Sequence, residues 1–173
     1  MIAHKPPVIS FVGTSKSGKT TFIEKLIPLL KESGLRIAVI KHHHLNFEID
    51  TIGKDTYRHK KAGASAVILS SPRKIALVRD LERELSLQEI VSGYIGDIDL
   101  VITEGYKQES TPKIEVFRRA TGSAPLYPHD DKIVAVIADE KIDAKVAHFF
   151  MLDIKGVAKF IMEFFQLRGF GAK

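Results

Sequence analysis

The sequence predicts an α/β fold in which helices flank a mostly parallel β-sheet. Short apolar runs alternate along the chain with amphipathic helical patterns, which is typical of this class. A glycine-containing loop follows the first apolar run and precedes the first helical pattern. Hydrophobic residues make up 45% and charged residues 27% of the 173 residues, as in globular domains that bury a core. This length favours a single domain covering residues 1–173.

The apolar patterns set the order of the predicted elements. Strands are predicted at residues 8–12, 35–40, 100–103, 113–117 and 133–138, and helices at residues 22–30, 55–62, 86–95 and 154–167. Two short runs around a Ser-Pro turn predict a β-hairpin insertion near residues 65–78. The glycine and prolines of residues 118–131 predict a loop, and residues 169–173 predict a fraying tail. Ser86 followed by Glu89 indicates a capping box at the third helix.

Composition excludes several classes of protein. The chain has no cysteine, which excludes disulfides, thiolate metal sites and cysteine nucleophiles. No apolar run approaches the roughly 18 residues that span a bilayer, and residues 1–7 lack the apolar core of a signal peptide. We therefore expect a soluble cytoplasmic protein. The net charge of +5 is compatible with an anionic ligand or with solvated lysines.

Residues 13–20 form the strongest motif of the chain. They read Gly-Thr-Ser-Lys-Ser-Gly-Lys-Thr and match the Walker A pattern GxxxxGK[S/T]. The glycines let successive backbone N–H groups converge on a phosphate at a helix N-terminus. We expect Lys19 to reach the β- and γ-phosphates and the Thr20 hydroxyl to ligate Mg²⁺. The predicted nucleotide-binding residues are Gly13, Thr14, Ser15, Lys16, Ser17, Gly18, Lys19, Thr20 and Thr21.

A second acidic element is expected near the end of another buried strand. Glu104 lies at the carboxyl end of the strand at residues 100–103, where ligands bind in open α/β sheets. We predict that it contacts the metal or the attacking water, and so count it among the catalytic and metal-site residues. Asp99 precedes the same strand and is interpreted as a loop acid.

Polar residues also follow the second predicted strand. Lys41 precedes three histidines, His42, His43 and His44. Adjacent residues of an extended chain point in different directions, so the triplet is a weak metal-site pattern. Contact of Lys41 and His42 with an anion or substrate, and plain solvation, are the alternatives.

Two aspartates come next, in the predicted loop and at the start of the second helix. Asp50 and Asp55 are candidates for holding the metal or orienting the attacking water, in a loop ordered by the γ-phosphate. The alternative for Asp55 is an N-terminal helix acid paired with Arg58, since Asp55, Arg58 and His59 share a helix face.

Guanine recognition has a weaker signal. The only asparagine, Asn46, is in the wrong place for an NKxD motif. Asp139 opens an NKxD-like stretch after the strand at residues 133–138, and Asp139 or Asp143 would accept from the guanine N1–H and amine. A solvated turn is the equal alternative.

Five stretches resemble a known family, the molybdopterin-guanine dinucleotide biosynthesis protein B (MobB) family. They are FVGTSKSGKTTFIEKLIPLLKESGLRIAVIKHHH, FEIDTIGKDTYRHKKAGA, DLVITEGYK, KIEVFRR and IVAVIAD, between about residue 8 and residue 139. The resemblance implies a P-loop NTPase fold, binding of GTP, weak GTPase activity and a homodimer. It further implies a MobA-like guanylyltransferase and molybdopterin as partners in molybdenum cofactor biosynthesis.

Three other functions stay open at the level of sequence. A P-loop kinase of a small metabolite would use Arg118 and Arg119 as a phosphoryl-clamping lid. A metal-insertion GTPase is favoured by the histidine triplet and disfavoured by the absence of cysteine. Direct nucleic-acid binding is the least favoured, because no basic helix carries interleaved aromatic residues.

Overall fold

The computed structural model describes residues 5–43, 45 and 47–167. The chain divides into two compact units, one formed by Met1–His42 with Val91–Lys173 and the other by His43–Ile90. His44, Asn46 and the predicted tail at residues 169–173 lie outside the described residues. The expectation of a single domain stays a prediction.

The elements follow each other in the predicted alternation. The strands are β1 (Val8–Val12), β2 (Ile37–Lys41), β3 (Ala66–Ser71), β4 (Lys74–Arg79), β5 (Leu100–Glu104), β6 (Lys113–Phe117), β7 (Ile133–Ala138) and β8 (Ala147–Phe150). The helices are α1 (Lys19–Glu32), α2 (Asp55–Lys61), α3 (Leu87–Tyr94) and α4 (Ile154–Phe164), with a 3₁₀ turn at Arg119–Thr121.

The first unit is built on a six-stranded sheet of order β2-β5-β1-β6-β7-β8, in which every pair is parallel. The first strand therefore has β5 and β2 on one side and β6, β7 and β8 on the other. Glu104 pairs with Phe11 of β1 and with Lys41 of β2. Because the strands are parallel, their carboxyl ends meet at one edge, and the loop after β1 lies there.

Successive side chains of the central strands point to opposite faces of the sheet, and both faces are packed. Ile9 and Phe11 of β1 are fully buried with α1 and α4 on one face. On β7, Ala135 and Ile137 belong to that same cluster, whereas Val136 and Ala138 pack in a second cluster with Leu126 and Tyr127 of the 118–131 loop. Helices cover one face, and a folded loop contributes to the other.

The second unit contains the predicted hairpin. β3 and β4 pair antiparallel from Ala66 opposite Arg79 to Ser71 opposite Lys74, with Pro72 and Arg73 in the turn. The helix α2 precedes it and is followed by Gly63, whose φ of 107° ends the helical path. The boundary between the two units falls within α3.

The structure departs from the predicted elements in several places, and β2 begins at Ile37 rather than at residue 35 and includes Lys41. The strand β8 was not predicted, and the 118–131 loop contains the 3₁₀ turn. The helix α4 ends at Phe164 rather than at residue 167, with Phe165 as its C-cap. Among the described residues, no helix is long and apolar enough to cross a membrane.

Candidate functional site

The loop at residues 13–20, hereafter the phosphate loop, joins β1 to α1 as predicted. Gly13 has a φ of 135°, and a Cβ placed there would lie 2.3 Å from the carbonyl oxygen of Val116 in β6. Gly18 has a φ of 97° and is the N-cap of α1. Both glycines adopt conformations that residues with a Cβ avoid, so the pattern of the motif follows from backbone geometry.

Lys19 folds back over the phosphate loop. Its Nζ donates to the carbonyl oxygens of Gly13 and Thr14, at 3.1 and 2.6 Å. Partial burial lowers the pKa of Lys19, while the nearby Glu104 carboxylate acts in the opposite direction. The lysine is thus a cation held beside the backbone of the loop, where a phosphate would be its natural counter-charge.

Thr20 and Glu104 meet at the edge of the sheet although 84 residues separate them. The Thr20 hydroxyl donates to Glu104 Oε1 at 2.8 Å. Lys41 Nζ lies 3.5 Å from the same oxygen, and the Glu104 side chain is 14% exposed. A hydroxyl and a carboxylate oxygen side by side suit Mg²⁺, which prefers oxygen ligands. Asp99, in contrast, bonds to Arg36 at the other end of the strand.

These groups line one pocket with a volume of about 380 Å³. Its walls are formed by Ser15, Lys16, Gly18, Lys19, Thr20, Thr21, Lys41 and Glu104. Within the phosphate loop, Ser17 is fully buried. The fold therefore brings predicted phosphate-loop residues together with the acid predicted from the end of β5.

Two aromatic side chains, of His42 and Tyr106, come shortly after the lining residues Lys41 and Glu104 in the sequence. Tyr106 has a φ of 55°, and its ring lies 4.7 Å from that of His42. A Cβ on Gly105 would lie 3.2 Å from the His42 Cβ. Lys107 follows directly, close enough to Lys19 to lower its pKa further. Positive charge thus collects where β2 and β5 end.

The predicted base-recognition residues lie after β7, on the other side of β1. Asp139 is exposed and accepts from the Arg119 backbone N–H at 3.4 Å. Glu140, which stands in the asparagine position of the NKxD-like stretch, accepts from Arg119 Nε at 2.6 Å. Asp143 has an exposed side chain, and its carbonyl oxygen accepts from the Tyr127 hydroxyl.

Asp50 and Asp55 belong to the second unit. Asp50 has a φ of 147°, and hydrogen bonds from the Thr56 side chain and the Thr51 N–H lower its pKa. Asp55 opens α2, and Arg58 Nη1 lies 3.9 Å from its carboxylate, which is the predicted ion pair. Their roles beside the phosphate loop stay predictions.

Two of the three histidines after β2, His42 and His43, lie in the part that the structure describes. His43 Nδ1 lies 2.9 Å from the Leu45 carbonyl oxygen. Among the described residues, no cluster of three or more His, Asp and Glu side chains is arranged to hold a metal ion.

Two contacts of the phosphate loop were not predicted. The Thr14 hydroxyl donates to the Thr121 hydroxyl at 3.3 Å, and the Arg118 guanidinium packs against Gly18. The sequence assigned Arg118 to a possible lid, whereas the structure places it beside the loop. Its position just after β6 was the available signal, since the carboxyl ends of parallel strands share an edge.

The parallel sheet, with a glycine loop between its first strand and first helix, defines a P-loop NTPase fold. The family model for molybdopterin guanine dinucleotide synthesis protein B (MobB) matches residues 8–139. The chain belongs to this family, as the resemblance of its five stretches indicated.

Similar proteins agree with this assignment. A molybdopterin-guanine dinucleotide biosynthesis adapter protein of Escherichia coli (strain K12) is 37% identical over 164 residues, covering 92% of this chain and 94% of that protein. One from Haemophilus influenzae is 38% identical over 138 residues, covering 79% and 77%. A crystal structure of molybdopterin-guanine biosynthesis protein B has a TM-score of 0.69 at 33% identity, covering 91% of this chain and 99% of that one.

Proposed function

We propose that this protein is an adapter in molybdopterin guanine dinucleotide biosynthesis that binds GTP with Mg²⁺ at the phosphate loop and hydrolyses it slowly. The names of its relatives support the pathway. The observation that carries the nucleotide site is the contact of Thr20 with Glu104 at the mouth of the phosphate loop. Family membership favours this function over the small-metabolite kinase and the metal-insertion GTPase.

The residues of the pocket fit a magnesium nucleotide. Backbone N–H groups at the start of α1, together with Lys19, would bind the phosphates. Thr20 and Glu104 would hold the metal directly or through water, and a bound Mg²⁺ would neutralise phosphate charge. Asp50 or Asp55 would orient the water, and Asp139 would accept from guanine. Slow turnover, on the order of 10⁻⁴–10⁻² s⁻¹, is expected of P-loop GTPases that lack an arginine finger.

Titration of the protein with GTP, GDP and ATP, with Mg²⁺ and with a chelator, tests the nucleotide assignment. GTP and GDP should bind more tightly than ATP, and the chelator should weaken GTP most. Inorganic phosphate should be the only phosphoryl product; a phosphorylated acceptor would indicate the kinase. A protein that binds no nucleotide at millimolar concentration would refute the proposal.

We further propose that the protein acts with a MobA-like guanylyltransferase and molybdopterin as partners. We also propose that it forms a homodimer. The β3–β4 sheet supports the dimer, because a two-stranded sheet is marginal by itself. Several of its apolar side chains are exposed, with Ile75 at 71%. We expect the protein to be a dimer by light scattering and Ile75→Lys to favour the monomer. Ile52→Lys, at a loop residue that is 81% exposed, is the control. Loss of the dimer in both variants, or in neither, would contradict this interface.

A further inference from the structure

We propose that Arg118 binds a phosphate oxygen that GDP and GTP share, so that it holds the nucleotide before and after hydrolysis. This inference rests on the proposed nucleotide site. It assigns a role to a partly buried cation that the phosphate-loop motif does not include.

Arg118 follows β6 directly and is the N-cap of the 3₁₀ turn at Arg119–Thr121. A Cβ built on Gly18 would lie 3.2 Å from Arg118 Nη2 and 3.3 Å from Met151 Cε. The guanidinium therefore lies in contact with the N-cap residue of α1, where a Cβ would be tightly packed against it.

The contacts of the Arg118 side chain are incomplete. Its Nε is buried, and within the part of the chain that the structure describes it has no hydrogen-bond partner. The neighbouring Arg119 differs, because its guanidinium bonds to Glu140 through both Nε and Nη2. A buried donor of a charged group that lacks an acceptor is costly, and most such groups in proteins are paired.

The position of this cation adds a second cost. The N-terminus of a helix carries partial positive charge, so a cation beside Gly18 is repelled by α1. A bound anion at the phosphate loop would relieve both costs, since it would accept from the guanidinium and neutralise the helix end. Arginine suits this task because its fork of donors matches phosphate oxygens.

The order of strands indicates which phosphate. Thr20, Glu104 and Lys41 gather on the side of β1 that faces β5 and β2. Arg118 lies on the opposite side, toward β6 and the residues after β8. Asp139, the candidate for reading guanine, is also on that side. The γ-phosphate would lie near Thr20 and Glu104, which would hold the metal. Arg118 would therefore contact the part of the nucleotide between the metal and the base.

Binding of GDP and GTP to Arg118→Gln tests the inference. Loss of a charged hydrogen bond should weaken both nucleotides by about tenfold or more, and by the same factor. Arg36→Gln is the matched control, because Arg36 pairs with Asp99 at the opposite end of the strands. Unchanged affinity in a folded Arg118→Gln variant would overturn the proposal, and weakening of GTP alone would overturn the choice of phosphate.

A second measurement does not require that variant to fold. In the wild-type protein, the ¹H–¹⁵N signal of Arg118 Nε, assigned by its loss in Arg118→Lys, should shift on addition of GDP and exchange more slowly with water. A signal that GDP leaves unchanged would overturn the role of Arg118 while leaving nucleotide binding intact. A wild-type protein that binds neither nucleotide would instead refute the proposed function itself.

Discussion

Thr20 and Glu104 lie side by side because of the way the strands of the sheet are arranged. Thr20 belongs to the phosphate-loop motif and Glu104 to a strand far along the chain, and the parallel register of β1 and β5 places the end of β5 beside the start of α1. The same register brings Lys41 to Glu104, so the carboxylate serves both a hydroxyl and an ammonium group.

Much of this site could be predicted because the information is local or follows from strand ends. The phosphate loop is a contiguous motif, and Glu104 ends a strand that the sequence reveals. The position of Arg118 after β6 indicates the same edge of the sheet, but its contact with Gly18 depends on the direction of one side chain in an irregular loop, which the sequence does not specify. The ion pair of Arg119 with Glu140 depends on the conformation of the same loop, so it could not be predicted either.

Lys19→Ala is expected to lose most of its affinity for GTP and to keep the fold. Within the described residues, the hydrogen bonds of the Lys19 ammonium go to atoms of the phosphate loop and not to core side chains. Nucleotide titration together with thermal unfolding measures both effects. Lys25→Ala, an exposed lysine on the same helix, is the control. Wild-type affinity for GTP in a folded Lys19→Ala protein would contradict the assignment of the loop.

Glu115 should make stability depend on pH. It is 2% exposed in β6, where burial raises its pKa above the ordinary 4.5 although the N–H groups of Leu126 and Tyr127 bond to it. With a raised folded-state pKa, the folded protein binds more protons than the unfolded chain between the two pKa values. The stabilisation is therefore complete below the unfolded pKa and is lost as the pH rises through the folded one.

The free energy of unfolding of wild type and Glu115→Gln, measured from about pH 4 to pH 8, tests this sign. The advantage of the wild type should be greatest at the acid end and should shrink toward neutrality. An advantage that grows with pH would mean that the carboxylate is the favoured form in the folded protein.

Among the elements, those with strong periodicity or long apolar runs agree best with prediction. Ile133–Ala138 is almost wholly apolar and is flanked by strands on both sides, as expected of a central strand. Ala147–Phe150 was missed because it is a four-residue edge strand with half-buried side chains, which gives no clear alternation. It is a strand because β7 offers it a pairing partner, and that information lies outside the segment.

At the N-terminus of α3, the sequence motif predicts the contacts that the structure shows. The Glu89 N–H bonds to the Ser86 hydroxyl, and the Ser86 N–H bonds to the Glu89 carboxylate, which completes the predicted capping box. Arg83 also bonds to Glu89, and together these contacts lower the pKa of Glu89 to about 2. Ser86→Ala should reduce the free energy of unfolding by about 1 kcal/mol, as at other N-caps.

Urea unfolding of Ser86→Ala at neutral pH measures this loss, and Ser86→Asp, which also caps helices, should largely restore stability. Because the pKa of Glu89 is depressed, its contribution is present above its unfolded value of 4.5 and disappears as the pH falls through about 2. The difference between wild type and Ser86→Ala should therefore shrink in strong acid. A difference that is constant from neutral to acid pH would contradict the coupling of Ser86 with Glu89.

For the whole molecule, the order of the strands decides where positive charge lies, which the net charge of +5 alone does not show. It brings the ends of β1, β2 and β5 to one edge, and Lys19, Lys41 and Lys107 lie there near one another. The sequence predicted this edge from strand ends alone. The arrangement is suited to an acidic surface or phosphate group of a partner, which is where the proposed guanylyltransferase or molybdopterin would dock.

Lys41→Glu and Lys107→Glu are therefore expected to weaken binding of the transferase more than binding of GTP. Both side chains are exposed, and long-range attraction to an acidic partner is screened as the Debye length falls from about 8 Å at physiological salt to about 3 Å at 1 M. Wild-type association should accordingly weaken with salt, and the variants should respond less. Lys41 also pairs with Glu104, so Lys107→Glu is the cleaner variant.

Titrating each protein with GTP and separately with the transferase, at low and high salt, measures both effects, and Lys25→Glu on α1 is the control. Transferase binding that is unchanged in both variants at both salt concentrations would remove this edge from the partner interface.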